Sequence, residues 1–268
     1  MRCTVGVFDS GIGGLSVVAA LLRMRPALPV RYIADTAYFP YGDRPEPEVD
    51  ERAFELSRQL LDEGCRLLVV ACNTASSSSL DSLRARLNAP IVGMEPPLKP
   101  AAERTRSGRV AVLVTAATAS GGRLARLSEA HARGRSVTTI PLPGLADMVE
   151  AGEVSGPRVE ARLRAALAGL AGDGVDEVAL GCTHYAFLRP ELERLLGPGI
   201  EVIDAAEPVA RRIVQQLEAH SIPIPEGEPV PVVCSATGDP DAFEASLARL
   251  QAAGAELPPL RVIRGALA

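Results

Sequence analysis

Ten short apolar runs punctuate this chain, and most are separated from the next by a stretch of helical periodicity. The runs are Thr4–Asp9, Val30–Ala34, Arg66–Cys72, Ile91–Met94, Arg109–Thr115, Ser136–Pro141, Glu177–Cys182, Glu201–Asp204, Pro229–Ser235 and Leu260–Ile263. Helical patterns fall at Leu15–Arg25, Pro47–Glu63, Ser79–Leu87, Arg123–Ala132, Pro157–Leu170, Glu191–Leu196 and Pro208–Glu218. A short apolar run bounded by turn residues reads as a buried strand. Strands joined through helices pair in parallel, because a crossover needs about a dozen residues or more. The predicted class is α/β with mainly parallel sheets covered by helices.

The chain also reads as two related halves. Val5–Gly11 is echoed by Val110–Ala116, and in each half a strand ending in cysteine follows about 65 residues later. This placement predicts two pseudo-symmetric α/β domains facing each other, one of residues 1–97 with 208–268 and one of residues 98–207. The chain crosses between them at Glu95–Ala101 and Glu207–Ala210. Ligands in such sheets gather at the carboxyl ends of strands, so the site is expected in the cleft between the domains.

Composition narrows the classes. With 268 residues and 47% hydrophobic content the chain can bury a sizeable core, and its net charge of −5 leaves no basic footprint for nucleic acid. No run approaches the roughly 18 apolar residues of a membrane span, and no signal-peptide apolar region precedes the first strand. Five cysteines, an odd number in a chain this large, predict free thiols in a reducing cytoplasm. There are 27 arginines and one lysine, Lys99. A pyridoxal-phosphate enzyme needs a Schiff-base lysine, and Pro97-Leu98-Lys99-Pro100 has no phosphate loop beside it. No cofactor is expected.

The chemistry-bearing residues sit at the ends of the strands. Asp9-Ser10-Gly11-Ile12-Gly13-Gly14 leads from the first strand into a helix, and reads equally as a small-anion site or as a plain turn capped by Asp9 and Ser10. Its spacing fits neither common phosphate fingerprint. Asp35–Arg44 gathers three of the nine aromatics into four positions and pairs the Tyr41 hydroxyl with an accessible Gly42 amide. That loop is a ligand wall or packed aromatics.

Cys72 opens Cys72-Asn73-Thr74 at a strand-to-helix junction, where the helix N-terminus favours thiolate. An inert buried thiol is the bland alternative. Cys182 and His184 share a face of an extended segment, 110 residues on from Cys72, and can meet as thiol and base. Zinc would need further Cys or His at short spacing, so no metal is expected, while a Cys–His hydrolase stays open. Two thiols presented alike could instead grip one molecule from opposite faces, as inversion of a stereocentre requires. Cys3, Cys65 and Cys234 read as structural. Thr115 and Thr118 qualify by position alone, and Glu150 reads as a solvated helix residue.

Four motifs taken together resemble the glutamate racemases, within the cofactor-independent aspartate/glutamate racemase superfamily. They are Asp9-Ser10-Gly11-x-Gly13-Gly14-Leu15-Ser16-Val17, Asp35-Thr36…Pro40-Tyr41-Gly42, Cys72-Asn73-Thr74-Ala75-Ser76 and Leu180-Gly181-Cys182-Thr183-His184-Tyr185. The resemblance spans nearly the whole chain. It departs at Val114, where glycine is usual, at Ala186-Phe187 in place of Pro-Leu, and at Tyr38.

The resemblance implies a set of roles. Cys72 and Cys182 are the two acid/bases, Asp9 assists Cys72, and His184 supported by Glu150 assists Cys182. Substrate contacts fall to Asp9, Ser10, Tyr41, Gly42, Asn73, Thr74, Thr115, Thr118, Thr183 and His184. It further implies two α/β domains with the site between them, a homodimer, and supply of D-glutamate for peptidoglycan. It also brings in DNA gyrase as a partner, which no residue pattern here supports. Two alternatives remain at this point. One is a related isomerase of aspartate, hydantoins or maleate; the other is a regulatory protein on the same scaffold.

Overall fold

A computed structural model describes residues 3–120 and 122–264. Residues 1, 2, 121 and 265–268, which belong to the two expected domains, lie outside that range. All ten expected strands form: β1 (Val5–Asp9), β2 (Val30–Ala34), β3 (Leu67–Val70), β4 (Ile91–Gly93), β5 (Arg109–Val114), β6 (Ser136–Pro141), β7 (Glu177–Leu180), β8 (Glu201–Ile203), β9 (Val232–Ala236) and β10 (Leu260–Val262). They build a six-stranded sheet, β10-β9-β2-β1-β3-β4, and a four-stranded sheet, β6-β5-β7-β8. Every ladder is parallel. The chain is a mixed α/β protein. β9 and β10 return to the first sheet after the second is complete.

The two sheets repeat one plan. The order β2-β1-β3-β4 in one matches β6-β5-β7-β8 in the other. β1 and β5 are therefore equivalent, as are β3 and β7, the strands that precede Cys72 and Cys182. Weak sequence echo between the halves becomes clear equivalence of position.

Helices cover the sheets: α1 (Leu15–Met24), α2 (Glu46–Asp62), α3 (Asn73–Arg86), α4 (Leu98–Arg104), α5 (Ala116–Ser120), α6 (Gly122–His131), α7 (Leu145–Glu150), α8 (Pro157–Leu167), α9 (Arg189–Leu196), α10 (Ala206–Ala219) and α11 (Pro240–Ala252). α3 starts six residues before the expected Ser79, directly after Cys72. Two of its serines find local backbone acceptors. Ser76 Oγ donates to Val70 O at 3.0 Å and Ser78 Oγ to Thr74 O at 3.0 Å. Among the described residues no helix is long and apolar enough to cross a membrane.

One expectation about thiols fails. Cys3 and Cys65 are joined in a disulfide, leaving Cys72, Cys182 and Cys234 free. The pairing register explains it. Val5 faces Leu67 across β1 and β3, and each cysteine lies two residues before its strand. Parallel neighbours thus bring the two Cα atoms to 4.6 Å. No sequence pattern reveals that register in advance.

Candidate active site

Each catalytic-type thiol stands just past the carboxyl end of its strand, on extended backbone. Cys72 has φ −129° and ψ 126° and caps α3. Cys182 has φ −143° and ψ 134° and opens a 3-10 turn, Thr183–Leu188. Both thiols line one cavity of about 340 Å³ between the two sheets. Ser10, Tyr41, Gly42, Asn73, Thr74, Thr115, Thr183 and His184 line it with them. Asp9, Glu150 and Thr118 do not reach the cavity surface; each stands behind a residue that does. The structure therefore gathers ten of the thirteen expected site residues on the wall and places three in support.

The two thiols have unlike partners. Cys72 Sγ donates to Ser10 Oγ at 3.8 Å. Asp9 stands behind Ser10, fully buried, accepting the amides of Ser10 at 2.8 Å and Gly14 at 2.6 Å. Cys182 Sγ instead lies 3.7 Å from His184 Nδ1. The other ring nitrogen, Nε2, is 2.6 Å from Glu150 Oε1. A carboxylate only accepts, so Nε2 carries a hydrogen and Nδ1 is left to exchange a proton with the Cys182 thiol. Phe39 packs against the imidazole, ring centroids 5.7 Å apart.

Burial sets the electrostatics. It pushes the Cys72 thiol well above the ordinary range, and the neighbouring Asp9 adds to the rise. The Ala75 amide and the Ser10 hydroxyl pull it down by less. This corrects the expectation that the helix N-terminus would favour thiolate at Cys72: desolvation outweighs the helix end. Burial likewise raises Asp9 to about 6, against the pull of His184 and the Gly14 amide. For His184 burial works towards the neutral ring, but hydrogen bonds with Cys182 and Glu150 win and hold the imidazole well above its usual value.

Asn73 brings unused hydrogen-bonding capacity to the cavity wall. It is buried, at 6% exposure, and neither its side-chain oxygen nor its nitrogen has a partner. Buried amides are nearly always satisfied, which makes this open one on the cavity wall a candidate binding group. Thr74 and Thr115, from opposite sheets, bring their hydroxyls to 3.5 Å at the wall. Thr118 Oγ1 accepts from Thr115 at 3.0 Å and so orients it from behind.

Residues 15–213 match the family model described as Asp/Glu/hydantoin racemase. The chain belongs to that family. It is an enzyme, an amino-acid racemase by class. It is 42% identical to a glutamate racemase of Pseudomonas aeruginosa over 219 residues, 81% of this chain and 83% of that one. A glutamate racemase of Roseiflexus sp. is 40% identical over 251 residues, covering 92% and 91%. Among solved structures, Escherichia coli glutamate racemase, in complex with L-glutamate and the activator UDP-MurNAc-ala, superposes with a TM-score of 0.83. That match is at 31% identity over 94% of this chain and 95% of the other.

Several features of the cavity went unread in the sequence. Tyr41 lines the wall, but its hydroxyl donates to Asp35 Oδ2 at 2.6 Å. Asp35, fully buried, also pairs with Arg52 at 2.8 Å and accepts from Thr237 Oγ1 at 2.7 Å. Leu142, Pro143 and Gly144 form another part of the wall, and their place just beyond the carboxyl end of β6 was the available signal. Two of the family departures have identifiable neighbours. Val114 packs over Gly181, where a Cβ would stand only 2.6 Å from its Cγ1. Tyr38 is held under the guanidiniums of Arg44 and Arg52, at 4.7 and 4.3 Å from its ring centroid.

Proposed function

We propose that this racemase interconverts L- and D-glutamate by a two-base mechanism in which Cys72 and Cys182 serve opposite faces of the α-carbon. The observation that carries it is the presence of both free thiols on one 340 Å³ cavity, each after the equivalent strand of its own sheet. The relatives' substrate supports glutamate as the amino acid.

One thiol enters ionised and takes the α-hydrogen as a proton. The electron pair of that C–H bond stays on the substrate and spreads into its carboxylate. The opposite thiol then gives its proton to the other face, and turnover leaves the two protonation states exchanged. None of the cavity-lining residues is Arg or Lys. The carboxylate charge that grows is therefore met by neutral donors: Asn73, Thr74, Thr115, Thr183, Ser10 and the amides near Tyr41 and Gly42. Such fixed donors in a dry site stabilise developing charge without reorganising. The Cys182 proton has His184 as its immediate partner, held by Glu150, whereas Cys72 has Ser10 with Asp9 behind it.

Around that site we assign two lobes, residues 1–97 with 208–268 and residues 98–207, a homodimeric assembly, a cytoplasmic setting, and the supply of D-glutamate to peptidoglycan synthesis. Polarimetry on L- and D-glutamate, with aspartate in parallel, tests the reading. Equal approach to zero rotation from either glutamate enantiomer supports it. Racemisation of aspartate alone would move the chain to another branch of the family.

A further inference from the structure

The glycine loop between β1 and α1 sits where an anion-binding turn would, yet Gly11, Ile12, Gly13 and Gly14 are all buried. What covers Gly11, Ile12 and Gly13 comes from the opposite lobe. Glu150 Oε1 accepts the Ile12 amide at 2.6 Å. A methyl group built on Gly11 would stand 1.8 Å from that same oxygen. One built on Gly13 would stand 2.6 Å from both His184 Nδ1 and Thr183 Oγ1. Neither glycine needs an unusual backbone angle; what both supply is room. The loop's anion is the protein's own carboxylate.

We propose that this loop is the seat of Glu150, and that Gly11 and Gly13 are positioning residues that let the Cys182 lobe dock closely enough for Glu150 to orient His184. The proposal rests on the racemase reading and extends it to residues that do not touch the cavity. One oxygen of Glu150 accepts from both Ile12 N and His184 Nε2, each at 2.6 Å. A short displacement between the lobes breaks the first bond and frees the carboxylate to leave the second. The orientation of the Cys182 base is thereby tied to closure over the substrate, which also shuts out water.

A double-substitution cycle of Gly11→Ala and Glu150→Ala tests this. The three atoms nearest a Gly11 methyl all belong to the far end of the Glu150 side chain, so Gly11→Ala is expected to fold with Glu150 evicted. Melting temperature without substrate reads the seat, and glutamate kinetics read the positioning. Gly11→Ala should lower Tm by about 3 °C or more. It should lower kcat tenfold or more, with KM changed by less than about threefold, because Gly11 does not line the cavity. The limb of the pH profile set by His184 should move to lower pH, as in Glu150→Ala, because the ring loses the carboxylate that holds its proton.

In the Glu150→Ala background, Gly11→Ala should cost nothing further, within about twofold in kcat. Losses that multiply, or a Gly11→Ala enzyme of native kcat, overturn the proposal. If Gly11→Ala alone does not fold, the double variant should, since the clash is gone; a double variant that also fails to fold overturns it. The stability cycle reads the seat even if the native chain proves inactive on glutamate. Native inactivity sinks the substrate assignment, and multiplying losses sink the seat.

Discussion

The Tyr41 hydroxyl donates a hydrogen bond to Asp35 Oδ2 at 2.6 Å, and both groups are buried. The one phenol on the cavity wall is thus committed to the protein interior, where Arg52 and Thr237 complete the coordination of Asp35. That bond leaves the hydroxyl no free proton to donate to a ligand. Tyr41→Phe should therefore leave KM for glutamate within about threefold while lowering stability by about 1–3 kcal/mol, the cost of a lost hydrogen bond to a buried charge. Chemical denaturation beside steady-state kinetics checks this. A large rise in KM with unchanged stability would place the hydroxyl on the substrate instead.

Asn73 should behave in the opposite way. Its amide has no protein partner, so Asn73→Ala removes nothing the fold relies on. Hydrogen bonds to a charged ligand contribute about 1.5–3 kcal/mol, so kcat/KM should fall about 10- to 150-fold with Tm little changed. Kinetics and calorimetry on one preparation settle it. Loss of folding in place of activity would make Asn73 a structural residue.

Asp9 gives the fold a pH signature. Its carboxyl titrates near 6 in the folded chain against 3.8 unfolded, chiefly because it is buried. Between those values the folded state holds the proton and the unfolded state does not, so stability falls as pH rises from about 4 to about 6. The full contribution is present below 3.8 and gone above 6. At 1.36 kcal/mol per unit, this shift of roughly two units amounts to about 3 kcal/mol. Asp9→Asn should flatten the Tm profile across that window. An unchanged slope would show that Asp9 titrates normally.

The Cys3–Cys65 bridge closes a span of 62 residues. Chain entropy alone assigns such a loop about 4 kcal/mol, and measured bridges commonly give 2–4 kcal/mol. Denatured protein should present three titratable thiols before reduction and five after it, and Cys3→Ser should lower Tm with kcat intact. Five thiols without reductant would mean that the bridge does not form in solution.

How far this was readable from sequence varies by element. The strands were legible because parallel sheets buried on both faces leave continuous apolar runs, as at Leu67–Val70 and Val110–Val114. The helices were legible where an apolar stripe recurs and less so elsewhere. α5 is too short to show periodicity. α11 carries Asp239 as cap, Pro240 at N1, and Phe243, Leu247 and Leu250 on one face, a readable signature that the expected helices omit. At the site, Cys72, Asn73, Cys182 and His184 were legible because motif and strand end coincide. Glu150 was not legible from its own surroundings: a carboxylate on a short helix looks solvated, and its bond to a histidine 34 residues away exists only in the folded chain. The same holds for Asp35, and for the glycines whose task is to admit another lobe's side chains.

The central claim is that two thiols act on opposite faces of one carbon. Enantiomers have equal free energy, so kcat/KM must stay equal in the two directions for any variant that still racemises. Face assignment therefore needs a measurement other than rate. The most direct is α-deuterium incorporation, followed by proton NMR in heavy water, for Cys72→Ala and Cys182→Ala, each given L-glutamate and D-glutamate separately. Each variant should lose racemisation by 10²-fold or more, the usual scale for a positioned acid/base. Each should wash deuterium into one enantiomer with retained configuration, and the enantiomer should be opposite for the two variants. Racemisation at near-native rate by either variant, or exchange into the same enantiomer by both, would contradict the account.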